Sequence, residues 1–178
     1  MARTKIAPAG GHARDIATSW ARERPDLDPL DYLLSIYLLR IGRIIDRVGS
    51  RQWERIFGLS GAEMRVLLAL RRAGGDYAMR PTDLFRALLV TSGAITKKVD
   101  RMSAAGLVKR IKEGGLRVQL TAKGKQVADK AMTEIARSAL MSRSRVSLSR
   151  QERKVLAKLC EKLLLDFEAD AGVLELIE

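Results

Sequence analysis

The sequence predicts a mainly α-helical fold interrupted by a single β-hairpin, and three observations carry that prediction. Apolar residues recur at helical spacing along most of the 178-residue chain. Two short segments, 107–112 and 116–120, read as strands on either side of Glu113-Gly114-Gly115, a tight hairpin connection. Serine-led capping boxes and glycine stops mark where the helices begin and end.

Taken in order, residues 1–11 read as a flexible tail containing Pro8, Gly10 and Gly11, and a short helix is expected over about 13–24, before Pro25. Asp28-Pro29 is a strong helix start, with aspartate as N-cap and proline at the first helical position. From there Leu30, Leu33, Leu34, Tyr37, Ile41, Ile44, Ile45 and Val48 form one apolar stripe on a helix running to about Phe57, where Gly58 ends it. Ile36 and Leu39 widen that stripe, as a helix facing a partner chain requires. Ser60-Gly61-Ala62-Glu63 opens a compact helix to about Ala73, broken by Gly74-Gly75-Asp76. Pro81 opens a short helix over 81–88, and Thr91 or Ser92 caps another to Ala105, with Gly106 in the position of a left-handed cap. After the hairpin, Thr121 starts a long helix past Leu140 into the basic stretch 142–145, and Ser149-Arg150-Gln151-Glu152 opens the last one, through Phe167. The domain reading is therefore helices for dimerisation over 12–58, a central domain over 59–120, and further dimerisation helices over 121–178.

Composition narrows the function. The net charge of +12, with 47% apolar and 30% charged residues, describes a globular protein suited to a polyanionic partner. Between Leu59 and Leu120 twelve cations face five acids, a local charge of +7. The single cysteine, Cys160, excludes a disulfide framework, and the single histidine, His12, removes the usual general base and metal ligand. With no phosphate-binding glycine loop, no enzyme, cofactor or metal is expected. No apolar run approaches the roughly 20 residues of a membrane helix, so a soluble, cytoplasmic protein is expected.

Two short helices, a tight connection and a hairpin compose a winged helix-turn-helix, which places one helix in a DNA major groove. Projected at about 100° per residue, the helix after Thr91 sets Ile95, Val99, Met102 and Ala105 on one side. Gly93, Thr96, Lys97 and Asp100 fall opposite, flanked by Ser92 and Arg101, with Lys97 and Arg101 able to reach guanine edges or phosphates of double-stranded DNA. Lys98 lies near the apolar stripe, where a lysine must snorkel, pair with a carboxylate or meet an anion.

The runs Leu59-Ser60-Gly61-Ala62-Glu63, Arg80-Pro81-Thr82-Asp83-Leu84, Ser92-Gly93-Ala94-Ile95-Thr96, Val99-Asp100-Arg101-Met102, Ala105-Gly106-Leu107-Val108 and Leu120-Thr121-Ala122-Lys123-Gly124 together resemble the MarR (multiple antibiotic resistance regulator) family. The resemblance implies a homodimeric transcriptional regulator, probable repressors being common in such a role, that binds a palindromic operator. It implies DNA contacts by Arg80 and Thr82 on the supporting helix and by Ser92, Gly93, Thr96, Lys97 and Arg101 on the recognition helix. The wing is several residues shorter than the family's and lacks its acidic-x-Arg tip, which leaves Lys112 and Arg117 as candidates for phosphate contact.

The run from Trp20 to Asp28 also resembles the family's urate-responsive branch, and Trp20, Arg72, Lys98 and Arg110 match its pocket positions. Arg65 stands where that branch carries an aspartate, so the implied effector is a small aromatic or carboxylate anion rather than urate. Two other readings are open to the sequence: a winged-helix adaptor for protein partners, and a redox sensor built on Cys160.

Overall fold

The computed structural model describes residues 9–88, 92–112, 115–138 and 147–170. It divides into two compact units, Met1–Gly49 and Ser50–Glu178. The first holds α1 (Ala9–Glu23) and the start of α2 (Pro29–Phe57), which runs on into the second. Helix α1 begins inside the segment expected to be a tail. Gly10 and Gly11 lower helix propensity but fit αR geometry without strain, so the helix continues through them. Ala17 is buried, and its carbonyl accepts a 3.1 Å hydrogen bond from the Tyr32 hydroxyl. Arg24 grips Asp26 through two bonds of 2.8 and 2.6 Å, and this guanidinium holds the Asp26 carboxyl below its ordinary value. Asp28 caps α2 through a 2.8 Å bond from the Leu30 amide.

The second unit is built around α3 (Gly61–Arg72), whose Met64, Val66, Leu67 and Leu70 are fully buried. Ser60 closes the expected capping box with Glu63. Then follow β1 (Ala78–Met79), α4 (Pro81–Leu88), α5 (Ser92–Ala104), β2 (Val108–Ile111), β3 (Arg117–Leu120), α6 (Ala122–Ser138) and α7 (Arg150–Ala169). Every expected helix and strand is present. The addition is β1, two residues long, which pairs antiparallel with β3 to make a sheet of order β1-β3-β2. A strand that short carries no periodicity of its own, so only its partner reveals it.

The ends of α5 and the wing are set by backbone chemistry. Gly106 adopts φ 69°, the Gly106 amide bonds the Ser103 carbonyl (2.9 Å), and the Leu107 amide bonds that of Met102 (2.9 Å). This is a Schellman cap, and it turns the chain directly from α5 into β2. In the β2–β3 ladder Val108 faces Leu120 and Arg110 faces Val118. The core joins α3 to Leu84, Val99, Met102, Val108, Val118, Leu120, Ala128 and Ala131. Burial of these apolar side chains, each contributing about 1.5–3 kcal/mol for the larger ones, fixes α5 against α3 and the sheet.

Helix α6 crosses the start of β2 at Gly124, whose amide bonds the Thr121 hydroxyl (3.0 Å). The expected course of this helix past Leu140 into 142–145 lies outside the described residues. Helix α7 opens on the second capping box, Ser149 with Glu152. It leaves Val155, Leu159, Leu164, Leu165 and Phe167 exposed, as α2 leaves Leu30, Leu34, Leu39, Ile41 and Ile44.

Candidate nucleic-acid interface

Helix α5 has two faces. Val99 and Met102 are buried in the core, whereas Thr96, Lys97, Asp100 and Arg101 are exposed. That is the arrangement the projection predicted for these six residues, and it follows from the 3.6-residue helical period. Ala105, expected on the core side, is exposed instead because it lies past the end of α5, and the Ile95 side chain lies outside the described residues. Arg80 and Thr82 are exposed at the start of α4, where Arg80 offers its carbonyl to the Leu84 amide (3.0 Å). Ser92 and Gly93 begin α5, but their side chains lie outside the described residues.

At the wing, Lys112 is exposed at the end of β2. Arg117 is half-buried and bonds Asp76 at 2.8 Å, so it ties the base of the wing to the turn after α3. That turn contains Gly74, Gly75 and Tyr77, all with positive φ. Tyr77 is the non-glycine member; its ring lies between the Arg71 guanidinium (5.0 Å) and the Lys125 ammonium (4.9 Å), a double cation–π contact.

Two ion pairs link α5 to its neighbours. Arg110 on β2 holds Asp100 at 2.8 Å. Arg101 lies 3.4 Å from Glu63 of α3. The sequence showed Glu63 as a capping residue and Asp100 as a solvated one. Neither partner was legible, because each pair joins segments whose juxtaposition depends on the tertiary fold.

Of the residues proposed for an effector, Arg110 lines a cleft of about 270 Å³, which it shares with Pro81, Phe85, Val99, Leu116 and the recognition-helix residue Thr96. Lys98 is half-buried on α5, in keeping with its inward projection, while Arg65 and Arg72 are exposed on α3. None of these three is among that cleft's walls. Trp20 belongs to the first unit, on α1, and is 52% exposed. Cys160 is exposed on α7, because the described α7 presents its apolar side chains to solvent.

A sequence profile of the MarR family matches residues 57–115. The chain is 34% identical over 124 residues to the HTH-type transcriptional regulator PecS of Dickeya dadantii (strain 3937), covering 67% of this chain and 74% of that one. Among solved structures, it is similar to Sco3205, a MarR family transcriptional regulator from Streptomyces coelicolor in complex with DNA. That match has a TM-score of 0.68 at 17% identity, over 82% of this chain and 92% of that chain. It is also similar to the organohalide sensing RdhR transcriptional regulator in its 2,4-dichlorophenol bound form, with TM-score 0.63 and 22% identity over 92% of this chain and 88% of that chain.

Proposed function

This chain belongs to the MarR family of transcriptional regulators, and from that premise we propose that it binds a palindromic operator as a homodimer, represses transcription there, and is released by a small anionic effector. The observation that carries the proposal is the two-faced α5: Val99 and Met102 anchor it while Thr96, Lys97 and Arg101 face outward. Thirteen residues at 1.5 Å each make a helix of roughly 20 Å, long enough to lie in a major groove. Ser92, Gly93 and Thr96 approach base edges from its N-terminal end. Lys97, Arg101, Arg80 and Thr82 grip the flanking phosphates, and exposed Lys112 adds a contact from the wing, whose base Arg117 steadies through Asp76.

The exposed apolar side chains of α2 and α7 supply the dimer. A monomer in water would leave Leu30, Leu34, Leu39, Ile41 and Ile44 of α2 solvated, together with Leu159, Leu164, Leu165 and Phe167 of α7. Each side chain of this size that becomes buried contributes about 1.5–3 kcal/mol before the cost of association. A twofold dimer places two α5 helices on successive major grooves, about 34 Å apart.

For release, the cleft beside Arg110 offers an apolar enclosure with one guanidinium at its edge, suited to a small aromatic or carboxylate anion. An anion that takes Arg110 from Asp100 uncouples β2 from α5 and alters the pose of the recognition helix. DNA affinity then falls by the differential binding free energy of the ligand for the two arrangements. The experiment is a gel shift on the intergenic DNA upstream of the protein's own gene, titrated with aromatic carboxylates. A discrete complex that dissociates with one of them is expected, and absence of any sequence-selective complex overturns the reading.

A further inference from the structure

Glu63 is the charged side chain that the described core buries, at 1% exposure. Its Oε2 accepts from the Ser60 amide (2.8 Å) and the Ser60 hydroxyl (2.7 Å), completing the cap of α3. Capping alone does not require burial. The equivalent carboxylate of the α7 capping box, Glu152, makes the same bond from the Ser149 amide (2.7 Å) while exposed to solvent. Removing a carboxylate from water costs free energy that a hydrogen-bonded countercharge must offset. For Glu63 the facing cation is Arg101, whose Nε forms an ion pair with Oε1 at 3.4 Å while the Arg101 side chain is 70% exposed.

The two groups line one cleft of about 250 Å³ with Phe57, Leu59, Met102, Leu107 and Lys123. The Lys123 ammonium donates to the Ala105 carbonyl (2.9 Å), and Arg101 is the cation that pairs with Glu63. Arg101 is nine residues beyond Ser92, about 14 Å along the axis of α5, well away from the end that approaches base edges. Its Nε faces Glu63, and a guanidinium has five N–H donors in a planar fork, so both terminal nitrogens stay available to a phosphate.

We propose that Glu63 is a positioning residue that holds Arg101 as a clamp on the DNA backbone, not as a reader of bases. This rests on the reading that α5 enters the major groove. Fixing the guanidinium before DNA arrives lowers the entropy lost when it pairs with a phosphate. The α3 cap and the recognition helix thereby share one carboxylate.

The test is a double-mutant cycle with Glu63→Gln and Arg101→Ala, with Lys97→Ala beside it. Glutamine serves at the third position of a capping box, so Glu63→Gln keeps the cap and removes the charge; matching thermal melts verify that the fold is retained. Affinities are measured for a duplex selected by the protein from a random-sequence pool and for its scrambled counterpart. Glu63→Gln is expected to weaken both by the same factor, about twofold to fivefold, as for loss of one solvent-screened ion pair. In the Arg101→Ala background it should have no further effect. An equal loss in that background, or a loss confined to the selected duplex, overturns the proposal. If Lys97→Ala and Arg101→Ala both leave the affinities unchanged, the groove reading fails as well.

Discussion

Two helical glycines meet similar geometric demands but should respond very differently to alanine. At Gly124 of α6 an added Cβ would collide with the Leu107 carbonyl oxygen and approach its carbon to 3.0 Å and Leu120 Cδ2 to 3.1 Å. The Leu107 carbonyl cannot swing aside, because it accepts from the Thr121 amide (3.1 Å) and the Thr121 hydroxyl (3.2 Å). Forcing α6 away from β2 costs about 1–3 kcal/mol in overpacking and roughly 1 kcal/mol for each weakened bond. Against this, alanine regains about 1 kcal/mol of helix propensity.

The net expectation for Gly124→Ala is a loss of about 2–4 kcal/mol. At Gly61 of α3 the added Cβ would meet the Ser50 hydroxyl, which can change rotamer, and would approach Ser50 Cβ to 3.1 Å and its Cα to 3.4 Å, which a shift of a few tenths of an ångström relieves. Gly61→Ala should stay within about 1 kcal/mol of the parent once the propensity gain is included. Urea unfolding followed by circular dichroism, at fixed protomer concentration, measures both. Equal destabilisation by the two variants, or a Gly124→Ala protein as stable as the parent, would refute the reasoning.

Other consequences follow from the same contacts. Ser60→Ala removes the N-cap hydroxyl of α3 and should cost about 1 kcal/mol in urea unfolding. Replacing Ile41 and Ile44 of α2 by lysine should convert a dimer to monomers in sedimentation velocity, and an unchanged sedimentation coefficient would place the interface elsewhere. For α7, the Ser149 hydroxyl and amide hold the Glu152 carboxyl below its ordinary value of 4.5. Its cap is therefore at full strength above that value and is lost as the pH falls through the depressed one. Ser149→Ala removes the hydroxyl but keeps the residue-149 amide, so it should reduce this acid-side dependence, which a pH series of thermal melts would show.

Most of the architecture was legible because it is written in local rules. Asp28-Pro29, the two Ser-x-x-Glu boxes and Gly106 each specify a helix end through hydrogen bonds within a few residues. The two faces of α5 were equally legible, since burial of Val99 and Met102 follows from spacing. Strand β1 was not, because two residues carry no pattern until β3 lies beside them. The start of α1 was misplaced by trusting the low propensity of Gly10 and Gly11 over the helix that extends through them. At the site, exposure of Lys97 and Arg101 was foreseen, but the tethering of Arg101 to Glu63 and of Arg110 to Asp100 joins residues 38 and 10 positions apart in different elements. Such pairs are decided by packing, and no local spacing encodes them.

The central claim is that the exposed face of α5 binds duplex DNA through its cations. Its most direct measurement is the slope of log K against log salt concentration for the parent chain and for Lys97→Ala on the same duplex. A phosphate-gripping protein shows a steep negative slope, and removing one contact reduces its magnitude by about 0.9. The account predicts that reduction. A slope near zero for the parent, or an identical steep slope for Lys97→Ala, would contradict it.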